Sequence, residues 1–131
     1  MEWSVEQLSS SLARTIARFE EEELEVRPSR VTVMVEEDLV IVHLLEVLLP
    51  SERALARTEA GQAMLQRFNT LLFNSGSSPS VMEQVAQVLR REVTEVQTSL
   101  SSLSGSLVVV FALGEAVQPD LDQHLDQGPR N

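Results

Sequence analysis

Leu107-Val108-Val109-Val110-Phe111-Ala112-Leu113 is the stretch that decides the fold. It is apolar throughout, β-branched at its centre and bracketed by Ser104-Gly105 and Gly114, which reads as a strand. Successive strand side chains point to opposite faces, so this strand is apolar on both. A second run, Leu39-Val40-Ile41-Val42-His43-Leu44-Leu45, has the same two-sided character. The short acidic turn Glu36-Glu37-Asp38 links it to the alternating run Val31, Val33, Val35, with Thr32 and Met34 between. Two strands this close predict an antiparallel hairpin. Val93 to Leu103, weakly alternating, pairs in the same way with the deciding strand across Ser104-Gly105.

Between and before the hairpins the apolar spacing is helical. Ser4 with Gln7 is a capping-box start, and Trp3 stands where a hydrophobic staple would. Val5, Leu8, Leu12, Ile16 and Phe19 then mark one helical face running into Glu20-Glu21-Glu22-Glu23. Four Glu oppose the dipole at a helix C-terminus, so this end is expected to fray or turn early, and Arg27-Pro28 to end it. Pro50-Ser51 opens a long helical pattern through Leu55, Met64, Leu65, Phe68, Leu71 and Leu72, with a bend expected near Ala60-Gly61. Residues 74–79 read as a loop. Ser80 with Glu83 caps a short helix carrying Val81, Val85, Val88 and Leu89. The expected order is α-β-β-α-α-β-β, an α+β two-layer sandwich with about four mainly antiparallel strands packed on helices. Residues 1–114 form the expected single domain, and 115–131 an acidic flexible tail.

Composition narrows the chemistry. The 131 residues carry a net charge of −10, have no Cys, and draw all ten cations from Arg. That excludes disulfides, thiolate metal sites, a Cys nucleophile and lysine chemistry. An acidic chain without a basic cluster is poorly suited to nucleic acid or an anionic membrane. The N-terminus lacks a signal-peptide pattern, and Leu39–Leu49 is too short to span a bilayer, so the expectation is a cytoplasmic chain with no direct membrane insertion.

The order and spacing of several segments resemble the MpsC-like domain family. They are Arg27-Pro28, Asp38-Leu39-Val40, Val40-Ile41-Val42-His43-Leu44, Leu48-Leu49-Pro50-Ser51-Glu52, Thr58-Glu59-Ala60-Gly61 and Val108–Leu113. The resemblance covers about four-fifths of the chain, from Leu12 to Leu113. Two positions depart from it. Leu49 stands where members often place a capping Thr, which would shift the cap to Ser51, and Arg27 stands where Gly is usual. The resemblance implies association with a sodium- and bicarbonate-linked membrane-potential-generating system, possessing no catalytic residues that carry over.

The residues themselves supply few candidate sites. His43 lies mid-strand among apolar neighbours and reads as a side chain of the second sheet face rather than a general base, which would need a tuning partner and a cleft. Asp120, Asp122, His124 and Asp126 alternate on a Pro/Gly-containing tail and lack the central Gly and bidentate Glu of a calcium loop, so no metal or other cofactor is expected. Glu20–Glu23 with Glu25 read as a solvated helix end rather than a dock for an Arg-rich partner. Arg90 and Arg91 read as complements to a helix C-terminus, with an anion contact as the alternative. Ser75–Ser80 follows a helix and lacks a Lys, so it is no phosphate loop.

One feature remains. Helices in one layer cover one sheet face, leaving Met34, Ile41, His43, Leu45, Val108 and Val110 on the other unless the first helix crosses to it. The expected function is therefore a non-enzymatic interaction or regulatory module, homodimeric through that face and a partner of a membrane transport system. The alternative is a small-ligand or anion sensor (bicarbonate or phosphate) binding between sheet and helices near Arg90 and His43. An acid/base enzyme using His43 is a third reading.

Overall fold

The computed structural model describes residues 4–74, 80–101 and 103–117. Its elements are α1 (Val5–Leu24), β1 (Arg30–Glu36), β2 (Leu39–Leu45), α2 (Pro50–Leu55), α3 (Glu59–Asn74), α4 (Val81–Leu89), β3 (Val93–Ser101) and β4 (Ser106–Leu113). This is an α+β fold with one more helix than the sequence pattern suggests. The long pattern after Pro50 breaks at 56–58, ahead of Ala60-Gly61, because Thr58 starts a new helix. Its hydroxyl accepts from the Gly61 N–H at 3.0 Å, and Gly61 presses so close to α2 that a Cβ would lie 1.8 Å from the Leu55 carbonyl oxygen.

The sheet order is β1-β2-β4-β3, and every neighbouring pair is antiparallel. The two strands with two-sided apolar sequence, β2 and β4, are the central pair. Gly105, with φ of 74°, makes the β3–β4 turn, as only a residue without Cβ does cheaply. At the outer edge, the Gln66 amide takes the positions where a fifth strand would bond. It donates to the Thr98 carbonyl at 2.9 Å and accepts from the Leu100 N–H at 2.8 Å. Such plugging protects an edge strand from pairing with another chain.

Of the described helices, α1, α3 and α4 pack on one face of the sheet. Leu8, Leu12, Ile16 and Phe19 of α1, Phe73 of α3, and Val81, Val85 and Leu89 of α4 share a single core with Val40, Val42, Leu44, Val96, Leu107, Val109 and Phe111. So α1 does not cross to the second face. Both capping boxes form: Ser4 with Gln7, and Ser80 with Glu83.

Several local expectations are corrected. The helix α1 runs through the Glu run to Leu24 and is ended by Glu25 in the left-handed conformation (φ 57°), two residues before Arg27-Pro28. The run survives because Arg27 pairs with Glu21 at 2.6 Å and the cap N–H satisfies the last carbonyls. Leu49, not Ser51, is the N-cap of α2, and the Glu52 side chain returns to the Leu49 N–H at 2.9 Å in place of a capping hydroxyl. Packing also continues past 114: Val117 is buried, and its N–H donates to the Glu37 carbonyl at 2.9 Å. Trp3, the 75–79 loop and the tail residues Asp120, Asp122, His124 and Asp126 lie outside the described residues.

Candidate functional site

The side of the sheet away from the helices is built by strand parity. Met34, Ile41, His43, Leu45, Val108 and Val110 alternate with the core residues of their strands, so all six stand on this open face. The pairing register arranges them in rows. Met34, Ile41, Val110 and Gln97 cross the sheet in one row, and Thr32, His43, Val108 and Ser99 in the next. Leu39 and Ala112 extend the apolar area in the row above, flanked by Glu36 and Glu95. Met34 is 55% exposed and His43 is exposed, while Ile41, Leu45, Val108 and Val110 are half-buried by one another.

The face has an apolar centre on β2 and β4 and a polar rim on the outer strands. Its charges are distributed unevenly: Arg30 stands at one end of β1, while Glu36 and Glu95 stand at the other end of the sheet. Leu39, Ala112 and this charge pattern are members of the face that reading the six residues alone overlooks; the same two-residue alternation identifies them.

Arg90 and Arg91 sit elsewhere. Arg90 caps α4 in the left-handed conformation. Arg91 donates to the Ala116 carbonyl at 3.0 Å and lies 3.7 Å from Glu115, holding down the segment after β4. His43 faces away from the helix layer, so it shares no site between sheet and helices with these arginines. The register partners of His43 are Thr32 and Val108.

Glu20 is the most unusual polar residue. It is 0% exposed, and neither carboxylate oxygen has a hydrogen-bond partner. Burial, with the charge of Glu52 adding to it, pushes its pKa up to about 7. The expectation of a solvated Glu20–Glu23 end therefore holds for Glu21, Glu22 and Glu23 but fails for Glu20, whose position one residue after Phe19 turns it inward. The i, i+4 spacing Ile16–Glu20 is the sequence signal for that. Among the described residues, no group of three or more His, Asp or Glu is arranged to hold a metal, and no helix is long and apolar enough to cross a membrane.

The structure is thus a small α+β domain whose described helices pack on one sheet face, leaving an apolar row on the other. The chain belongs to the MpsC family, described as "Na+-translocating membrane potential-generating system (MpsC)", whose profile matches residues 4–115. It is also similar to a Bacillus subtilis (strain 168) protein named "Uncharacterized protein YbcI", 24% identical over 118 residues, which are 90% of this chain and 94% of the relative. No solved structure matches it significantly.

Proposed function

We propose that the protein is a non-enzymatic cytoplasmic interaction module that pairs with a second copy of itself through the open sheet face. In this form it serves a membrane-potential-generating system as a protein partner, without binding nucleic acid. The observation that carries this reading is the uncovered row Met34, Ile41 and Val110 at the centre of the sheet. A helix layer already buries the other face, so the remaining apolar surface is stabilised by being covered, at roughly 25 cal/mol for each Å² removed from water.

Charge favours a second copy as the cover. A two-fold axis perpendicular to the strands lays the sheet over itself with its ends exchanged. Arg30 then lies over Glu36 of the other copy, and the reverse pair forms by symmetry. The acidic end of the face meets the end bearing the cation, while Ile41, Val108 and Val110 meet in the middle. An apolar centre with a polar rim is also the usual anatomy of protein interfaces. The link to a membrane system rests on the family description. The test is the solution mass of the wild-type chain beside that of Arg30→Glu and of Arg30→Glu/Glu36→Arg. The single reversal weakens the dimer and the double reversal restores it. A wild-type chain that is monomeric, or a dimer indifferent to both changes, contradicts the reading.

A further inference from the structure

The junction between α2 and α3 concentrates two cations that the fold does not use. Arg53 stands in the last turn of α2 and Arg57 in the break at 56–58, and with Ala56, Gln62 and Leu103 they line a half-open cleft of about 400 Å³. Neither guanidinium forms a salt bridge with a described acid. Glu52, next to Arg53, is turned back onto the Leu49 N–H, and Glu59, two residues after Arg57, stands in the first turn of α3. Among the described residues Arg27 pairs with Glu21 and Arg91 with Glu115, whereas Arg53 and Arg57 stand together at one cleft. Complementing the dipole of a six-residue helix explains at most one of the pair.

The walls of this cleft are fixed. Gly61 locks α3 against the Leu55 carbonyl. The Gln62 amide nitrogen donates to the Ala56 carbonyl at 2.9 Å, which leaves its oxygen as an acceptor. Arg53 lies over Gly105, its guanidinium nitrogen 3.2 Å from where a Cβ would stand. Leu103, 95% exposed, forms an apolar lip. A cleft of this size suits a small molecule.

We propose that Arg53 and Arg57 bind the phosphate monoester of a ligand whose body lies against Gln62 and Leu103. Two guanidiniums match the −1.5 to −2 charge of a phosphate monoester near pH 7, and their planar forks fit its oxygens. The Gln62 oxygen is placed for a hydroxyl or amine of the ligand body. This site is independent of how the sheet face is covered, so its test and the solution mass fail separately.

The test uses the full isotope-labelled chain, titrated at constant ionic strength with inorganic phosphate, with phenyl phosphate, and with phosphatidylcholine vesicles containing phosphatidic acid. Saturable shifts of the Ala56, Arg57, Gln62 and Gly105 amides, several-fold tighter for phenyl phosphate than for inorganic phosphate, are expected. Arg53→Gln/Arg57→Gln should weaken binding at least tenfold without changing the melting temperature or solution mass. Response to the soluble probes identifies a free phosphate ester, and response to vesicles alone identifies a lipid headgroup; both support the phosphate site. No saturable response to any probe, or responses unchanged in the double variant, overturns it.

Discussion

Ile41 in β2 stands directly opposite Val110 in β4, at the middle of the sheet face that none of the described helices covers. Within one chain such a cross-strand pair contributes some 0.2–1 kcal/mol. In the two-fold arrangement proposed above, Ile41 lies over His43 of the other copy and Val110 over its Val108, so their effect on assembly exceeds their effect on folding. Val110→Asp is expected to yield a folded single chain, with circular dichroism preserved and the dimer lost. Ile41→Thr, which keeps a β-branched side chain, should weaken the dimer without abolishing it. A Val110→Asp protein that folds and still dimerises would mean the interface lies elsewhere.

His43 lies between Thr32 and Val108 on the same face. If its role is to be covered, His43→Leu adds apolar area and the dimer is retained or tightened, read as an unchanged or lower dissociation constant by sedimentation. Dissociation of this variant into monomers would instead assign His43 an intersubunit hydrogen bond.

The open face is legible in the sequence because strand parity needs no knowledge of contacts. Once β2 and β4 are recognised, His43 and Val110 are committed to one side and Val42 and Val109 to the other. The helix layer is less legible. Met64, Phe68 and Leu71 belong to the apolar helical pattern, yet all three are exposed, because α3 turns Gly61, Leu65, Asn69 and Phe73 inward instead. Periodicity reports that a helix has an apolar stripe but not which of two stripes the sheet will take when both exist. Glu20 fails for a related reason: it opens a run of four Glu that reads as solvated, while its place after Phe19 and four residues from Ile16 turns it into the packed side of α1. The Arg53–Arg57 pair shows its spacing in the sequence, but the cleft between them depends on the break at 56–58.

Glu20 makes stability depend on pH in a predictable direction. Its folded pKa, about 7, is raised above the ordinary 4.5, so the folded state holds the proton more tightly than the unfolded chain. This stabilisation is complete below about pH 4.5, is lost as pH rises through 7, and amounts to on the order of 3 kcal/mol. Glu20→Gln removes the ionisation. Urea unfolding at pH 5 and pH 8 should show the variant gaining stability relative to wild type at the higher pH. An equal difference at the two pH values would show that Glu20 does not titrate in this range.

Gly61→Ala puts a methyl group into the space occupied by the Leu55 carbonyl, at 1.8 Å. Backbone must shift to admit it, at a cost of about 1–3 kcal/mol. The melting temperature should fall by several degrees or more. An unchanged melting temperature would show that the α2–α3 junction yields freely, and would remove the rigid frame of the Arg53–Arg57 cleft.

Light scattering of the wild-type chain across the micromolar range is the most direct measurement of whether the open sheet face is an interface between copies. The expected mass is twice the 14.6 kDa of one chain, falling toward a single chain for Val110→Asp. A wild-type mass of 14.6 kDa throughout that range would contradict self-association through the sheet.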